Sequence, residues 1–328
     1  MTTSTNNGHY HLGFDLGGTK MLAVAYNSAL EPIGRNRIRT NSHEGTQSVI
    51  NRIIDNINAA CTAAGIASSD LKSIGIGVPG SVNMQAGTVL GAVNLGWQNV
   101  ELVKIIREHF SCDIHLLNDV DAGVYGESQR GAAQGAQNVI GVFPGTGIGG
   151  GAVFNGHIVT GRQQTAMEIG HIQVVPNGIP CPCGQQGCLE TVASRLAIAS
   201  QAAQAAYRGA APYLLEAGGT DLRKIRSGVL SKSVANGDQA VEDIIRSACE
   251  YLGHAIASLV ALFAPDMIIL GGGLVEAMPE LMVTTTQTTA RARTISILRD
   301  SFEVRAAMLG DDASVLGAAI WGANEANK

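Results

Sequence analysis

The alternation of apolar and polar positions predicts strands and helices in turn. Tyr10-His11-Leu12-Gly13-Phe14 reads as a strand, runs into Asp15-Leu16-Gly17-Gly18-Thr19-Lys20, and resumes as a strand over Met21–Tyr26, the pattern strand, glycine turn, strand. Val49, Ile50, Ile53, Ile54, Ile57 and Cys61 recur three and four residues apart, between Thr46 as a cap and Gly65 as a stop. They form one face of an amphipathic helix. Ile74–Val78 is a buried-strand run ended by Pro79-Gly80, and Ile114–Leu117 is another, followed at Asn118-Asp119 by a helix start. A second cycle opens at Val139–Phe143, where a strand leads into a glycine turn over Gly145–Gly151 and on to the strand Ala152–Phe154. Apolar residues at helical spacing then fill Val241–Phe263, Pro265-Asp266 breaks the helix, and the strand Met267–Leu270 runs straight into Gly271-Gly272-Gly273. The two glycine hairpins lie about 130 residues apart, one domain length. This predicts a duplicated α/β unit with a cleft between the copies. The last apolar stretch, Val315–Trp321, predicts a helix that returns to pack on the first domain.

Composition narrows the class. The chain has 328 residues, enough for one large or two ordinary domains; 22 Lys and Arg against 27 Asp and Glu give a net charge of −5. An acidic chain without runs of like charge is a poor match for nucleic acid or for anionic lipid. The polar stretch Met1–Tyr10 lacks the basic start and apolar run of a signal peptide, and Ala255–Ala264 is too short to span a bilayer. Six cysteines, three of them within residues 181–188, do not form a disulfide framework; they imply a reducing, cytoplasmic setting and a metal site. One residue in eight is glycine (41 of 328). Without a collagen period that excess implies backbone working at close range.

Two segments match Gly-x-Gly-x-x-Gly, Gly75–Gly80 and Gly145–Gly150, but a dinucleotide site needs a helix directly after the glycines. Here Pro79-Gly80-Ser81 turns and Gly151 leads into a strand. A P-loop and the protein-kinase motif set are both absent. Phosphate binding by hairpin turns is what remains: glycines let successive N–H groups converge on an anion. Asp15, at the mouth of the first turn, is placed to hold Mg²⁺ directly or through water, and Thr19 and Lys20 to reach phosphate oxygens. A tight hairpin without a ligand is the simpler alternative for Gly17-Gly18 taken alone; a second hairpin and the triplet at Gly271 favour a nucleotide.

Cys181, Cys183 and Cys188 sit within one short loop and His171 ten residues upstream, a set that suits a closed tetrahedral zinc site, with unliganded thiols as the alternative. Such a site is structural and leaves no position for water. It would lock Glu168 and Glu190 on either side.

Taken in order, Asp15–Lys20, Asn118-Asp119, Gly145–Gly151, Glu168-Ile169-Gly170-His171 and Cys181-x-Cys183-Gly184-x-x-Gly187-Cys188-Leu189-Glu190 resemble the motifs of the ROK family of repressors and sugar kinases, and most of all its glucokinase branch. The resemblance covers nearly the whole chain. It implies an α/β fold of the duplicated actin-like ATPase (ribonuclease H-like) type, with two domains flanking a cleft that closes on the sugar. The small domain is expected over residues 1–128, completed by the helix 312–328, and the large domain with the zinc loop over 129–311. The implied reaction moves the γ-phosphoryl group of ATP, carried with Mg²⁺, to the 6-hydroxyl of glucose or a related hexose. An N-acetylated hexosamine as acceptor and polyphosphate as donor remain open.

By the same resemblance Asp119 is the general base, and Asn94, Asn118, Asp119, Glu168, His171 and Glu190 hold the sugar. Asp15, Gly17, Gly18, Thr19, Lys20, Gly145, Thr146, Gly147, Gly149, Gly271, Gly272 and Gly273 hold the nucleotide; His171, Cys181, Cys183 and Cys188 hold structural Zn²⁺. One imidazole can bind metal through one nitrogen and a hydroxyl through the other. From the residues alone, a simple helix cap is the favoured reading of Asn118-Asp119. Pro144 departs from the ordinary strand residue expected before the second turn. A homodimer is also implied. The repressors of the family carry a DNA-binding segment before the first glycine motif, and here only fourteen residues precede Asp15; with the acidic balance, this sets DNA binding aside as an expectation. A redox or hydrolytic metal enzyme would need an open metal position that four protein ligands do not leave.

Overall fold

A computed structural model describes residues 9–328. The stretch expected to lack a signal peptide falls mostly in residues 1–8, outside the described residues. Two compact units emerge. One runs up to Gln129 and includes Thr160–Ala166 and Asp311–Lys328; the other comprises Arg130–Val159 and Met167–Gly310. The segment Thr160–Ala166 thus groups with the first unit, although it lies numerically inside the 129–311 span expected for the large domain.

The first unit contains strands β1 (Tyr10–Leu16), β2 (Lys20–Tyr26), β3 (Pro32–Arg39), β4 (Leu71–Val78), β5 (Ser81–Asn83), β6 (Thr88–Ala92), β7 (Trp97–Val100) and β8 (Asp113–Asn118), with helices α1 (Thr46–Ala64), α2 (Leu102–Arg107) and α3 (Asp119–Arg130). Its main sheet has the order β3-β2-β1-β4-β8. The first three strands are antiparallel neighbours, and β4 and β8 run parallel to β1. Strands β5, β6 and β7 make a small antiparallel sheet of their own.

Strand β2 shows why this sheet is covered on both sides. Met21 and Ala23 join the core built by α1 with Phe14, Ile53 and Ile57, whereas Leu22, Val24 and Tyr26 point into a second apolar cluster. Helix α1 follows the predicted stripe, but it is capped by Gly45 at φ 91°, and Thr46 is its first residue. Gly65 ends it in the left-handed conformation, as expected.

The second unit repeats the plan. Strands β9 (Asn138–Pro144), β10 (Ile148–Phe154), β11 (His157–Ile158), β12 (Met267–Leu270) and β13 (Glu303–Ala306) form a sheet of order β11-β10-β9-β12-β13. Again the first three are antiparallel and the last two parallel to the central strand. Helices α4 (Glu190–Ala193), α5 (Arg195–Tyr207), α6 (Pro212–Gly218), α7 (Ser227–Ala235), α8 (Gln239–Phe263), α9 (Gly273–Ala277) and α10 (Pro279–Arg293) complete it. The apolar face of α8, through Ile245, Leu252, Ile256 and Leu259, shares one core with Ile140, Val142, Ile268 and Leu270 of the sheet.

The chain then returns to the first unit as α11 (Ala313–Glu325), whose Val315 and Ala319 complete the second cluster on β2. The approach is close because the sheet offers glycine there. A methyl group at Gly13 would overlap the carbonyl oxygen of Val315, and one at Gly75 that of Ala318. Gly317 meets the carbonyl of Ala122 on α3 in the same way. No helix among the described residues is long and apolar enough to cross a membrane.

Candidate active site

In the first unit the candidate residues gather at the carboxyl ends of the parallel strands, where open α/β sheets place their ligands. Asp15 in β1 lies opposite Gly77 in β4, which in turn lies opposite Leu117 in β8, so Asp15 and the Asn118-Asp119 pair reach the same edge. Gly77 leaves the room between them. A methyl group there would stand 2.8 Å from the Ser314 hydroxyl and 3.5 Å from Cα of Asp119. That hydroxyl donates to Oδ1 of Asp15 at 2.9 Å.

The carboxyl of Asp119 is pushed up to about 6, first by burial and then by the charge of Asp15, against the Val120 N–H, which donates to it at 2.9 Å. Burial also raises Asp15, with the Ser314 hydroxyl pulling the other way. Two carboxylates near one another cannot both ionise freely. Asn118 caps α3: its Oδ1 accepts from Val120 and Asp121 at 2.8 and 3.1 Å, and its Nδ2 donates to the carbonyl of Gly80 at 3.0 Å.

The first glycine turn is closed by Gly17 N–H donating to Lys20 O at 3.0 Å and by the Thr40 hydroxyl donating to Gly17 O at 2.6 Å. Gly18 and the exposed Thr19 form its tip. Asn94, on the short turn Val93–Leu95, packs beside it: a methyl group at Gly18 would stand 3.2 Å from Cβ of Asn94. Lys20 forms an exposed ion pair with Asp311 at 3.1 Å, and Arg37 joins the same carboxylate at 2.9 Å.

In the second unit the turn is shorter than expected. Gly145 N–H donates to Gly147 O at 2.8 Å and β10 resumes at Ile148, so Gly149, Gly150 and Gly151 lie in the strand opposite Phe143, Val142 and Gly141. Pro144 is the last residue of β9, opposite Ile148. The Gly271–Gly273 turn runs alongside. Gly271 N–H donates to Val142 O at 3.1 Å, and Gly272, at φ 88°, would bring a methyl group within 3.0 Å of Pro144 O. Parallel β9 and β12 thus present two glycine turns at one sheet edge.

Glu190, at the start of α4, ties that edge to the cysteine loop. Its Oε2 stands 2.6 Å from where a methyl group on Gly147 would be. Its Oε1 accepts from the Cys181 thiol at 3.1 Å and lies 3.9 Å from Nδ1 of His171. The other imidazole nitrogen, Nε2, lies 3.9 Å from Glu168. The ligand atoms of His171, Cys181, Cys183 and Cys188 all fall within 4.8 Å of one another, with Cys181 Sγ to His171 Nδ1 at 3.6 Å and Cys183 Sγ to Cys188 Sγ at 3.7 Å. A tetrahedral zinc with bonds of about 2.3 Å to sulfur and about 2.0 Å to nitrogen needs its ligands roughly 3.5–3.8 Å apart, so this donor set fits the ion. Gly187 makes the loop possible: at φ 69° its Cα packs on the carbonyl of Val175, where any side chain would clash.

Three residues at these edges escape sequence reasoning. Ser314 orients Asp15, and Asp311 holds Lys20; both belong to the run Gly310-Asp311-Asp312-Ala313-Ser314 that leads into the first residues of α11, and its polar start ahead of an apolar helix is the available signal. Arg195 clamps the second turn, its backbone N–H donating to Gly145 O at 2.9 Å and its Nη2 to the Thr146 hydroxyl at 3.1 Å. Nothing in its spacing marks it.

Two sheets of the same strand order, each with a glycine turn after its central strand, define the actin-like ATPase fold. Comparison with known proteins narrows this further. The ROK family model matches residues 11–325. A glucokinase of Halalkalibacterium halodurans is 35% identical over 314 residues, covering 94% of this chain and 93% of its own. The crystal structure of a ROK family glucokinase from Streptomyces griseus, in complex with glucose and AMPPNP, superposes with a TM-score of 0.82 at 31% identity and covers 96% of this chain and 99% of its own. A xylose repressor of Caldicellulosiruptor bescii is 27% identical over 93% of this chain and 76% of its own length. The chain belongs to the ROK family.

Proposed function

We propose that the protein is an ATP-dependent hexose kinase that phosphorylates glucose on its 6-hydroxyl, with Asp119 as general base. The observation that carries this is the pair Asp15 and Asp119 at one sheet edge, in a chain similar over 94% of its length to a glucokinase. In the reaction the 6-hydroxyl oxygen forms a bond to the γ-phosphorus, the bond from that phosphorus to the β,γ-bridging oxygen breaks, and the hydroxyl proton passes to the Asp119 carboxylate. Phosphoryl transfer asks for positioning and charge stabilisation more than for a strong base. Asn118, by capping α3, fixes the backbone on which Asp119 sits. Asn94, Asn118 and Asp119 hold the reacting end of the sugar; Glu168, His171 and Glu190 hold its other hydroxyls.

The amides of Gly17 and Gly145 already close their turns. The phosphates therefore fall to Gly18, Thr19, Thr146 and Gly147, with Lys20 exchanging Asp311 for a phosphate oxygen, and Gly271–Gly273 lie toward the nucleoside. Gly149, within β10, supports the turn from behind. Mg²⁺ bound with the nucleotide would neutralise phosphate charge, and Asp15 would hold it directly or through water. Zinc on His171 Nδ1 and the three thiolates would fix Glu190 and leave His171 Nε2 facing Glu168 and the sugar. The two compact units serve as the two domains of this kinase, and a homodimer in a reducing cytoplasm completes the proposal.

ADP release with Mg-ATP over glucose, mannose, fructose, allose and the N-acetylated hexosamines tests the function. Glucose should give the highest kcat/KM. Turnover on none of them would overturn it, and a preference for an N-acetylated hexosamine would move the acceptor while keeping the chemistry.

A further inference from the structure

Between Val159 and Met167 the chain leaves the second unit and joins the first over Thr160–Ala166. This arm folds back on itself, with Gln164 N–H donating to Gly161 O at 3.3 Å and Ala166 N–H to Thr160 O at 3.1 Å. Gln164, left-handed at φ 55°, turns its carboxamide onto the hairpin of β5 and β6, whose ladder ends at the pair Asn83 and Thr88. Its Oε1 accepts from the Met84 N–H one residue further on, and its Nε2 donates to Oδ1 of Asn83 at 3.3 Å. That oxygen is fixed by a second bond, from the Ala86 N–H at 2.9 Å. A carboxamide offers the donor and the acceptor of a peptide group, so one half-buried side chain continues the pairing where β5 stops.

Only Thr165, Ala166 and Met167 separate Gln164 from Glu168. Met167 is left-handed at φ 64°, a conformation that residues other than glycine rarely adopt. Glu168, at φ −69° and ψ 58°, is the centre of an inverse γ-turn closed by the Ile169 N–H, which donates to Met167 O at 2.7 Å. Strained backbone of this kind persists where its surroundings over-determine it. Behind the turn lies β10: a methyl group on Gly150 would stand 2.4 Å from Met167 O, and one on Gly170 would stand 2.3 Å from Ile148 O. Ahead of it is the grip of Gln164. The Glu168 carboxylate is itself exposed, 3.9 Å from Nε2 of His171, so its place is set by its backbone and not by packing.

We propose that Gln164 is a positioning residue for the acceptor sugar: by holding the arm to the β5–β6 hairpin, it sets the backbone from which Glu168 reaches the sugar hydroxyls. This rests on the kinase function above, in which Glu168 holds the sugar. The same hairpin leads through β6 into the Val93–Leu95 turn that carries Asn94. Coupling between binding events is reciprocal, so a latch that helps glucose to bind must be tightened by glucose by the same factor.

Steady-state kinetics of Gln164→Ala and hydrogen exchange at the wild-type Met84 amide test it. The variant should raise the KM for glucose about tenfold. Its kcat and its KM for ATP should stay within about twofold of the parent, as when ground-state sugar binding alone is lost. In the wild type, saturating glucose should slow exchange of the Met84 N–H by about the same tenfold factor, a response that a merely structural contact would not give. An unchanged glucose KM, a parallel rise in both KM values, or Met84 exchange indifferent to glucose would overturn the proposal and leave the kinase assignment standing. If the wild type phosphorylates no hexose, the kinase assignment fails, and calorimetry with glucose then decides for Gln164. Binding weakened about tenfold in the variant supports its role; equal binding, or none to either protein, overturns it.

Discussion

At the residue scale the proposed chemistry rests on a carboxyl whose affinity for protons is set by its neighbours. Asp119 is raised to about 6 by burial and by Asp15. Its folded value therefore lies above the ordinary value of 3.8, and between those two pH values the folded chain holds a proton that the unfolded chain has lost. Stability should fall as pH rises through that window and level off above it. For a base that must be ionised, kcat/KM for glucose should drop below about pH 6. A profile flat to pH 5 would contradict the assignment. At pH 7 the strain of holding the ionised form is worth up to about 3 kcal/mol, so Asp119→Asn should be more stable to urea than the parent, a stability gain at the expense of activity.

Gly147 gives a second residue-scale prediction. A methyl group there would stand 2.6 Å from Oε2 of Glu190. The carboxylate must move away, and Gly147→Ala should raise the KM for glucose by about tenfold, roughly 1.4 kcal/mol, with little change in melting temperature. An unchanged KM would remove Glu190 from the sugar site. The motif residues were legible in sequence because they are local, Asp15 to Lys20 and Glu168 to Glu190. Ser314 and Asp311 were not, because they reach Asp15 and Lys20 from almost three hundred residues away, and only folding brings them together.

At the scale of elements, hydrophobic periodicity located α1, α8 and the strands β1, β2, β4, β8, β9 and β12, and it missed β3, β11 and β13. It failed where side chains are small. Gly149, Gly150 and Gly151 carry no alternation, so the sequence predicts turn where β10 starts, and it offers Thr46 as the cap because a glycine cap such as Gly45 has no side chain to signal it. The glycine excess was legible as close backbone approach but not as a helix contact. Gly13 and Gly75 let α11 lie directly on β1 and β4. Gly75→Ala should cost about 3 kcal/mol or more, because the obstacle is the Ala318 carbonyl and not a mobile side chain. Urea denaturation measures it, and a cost under about 1 kcal/mol would contradict so tight a packing.

The cysteine loop is the other element with a sharp expectation. Elemental analysis of the purified protein should give about one zinc per chain. Cys181→Ser should lose the metal and, through Glu190, weaken glucose binding in calorimetry. Full zinc occupancy in that variant would exclude Cys181 as a ligand.

For the whole molecule, an acidic chain of net charge −5 organised as two units of the same sheet plan is an unpromising surface for nucleic acid. It suits a small polar substrate and a nucleotide. The duplication was visible in sequence as two glycine hairpins, although the halves share too little pattern to show that their sheets have the same strand order. The proposed chemistry converges on one carboxylate. The most direct measurement compares wild type with Asp119→Asn, following glucose 6-phosphate formation from Mg-ATP and glucose, alongside glucose affinity by calorimetry. A general base at Asp119 predicts kcat lower by about 10²–10⁴-fold with glucose affinity within a few fold of the parent. Near-parental kcat in the variant, with glucose still bound, would contradict it.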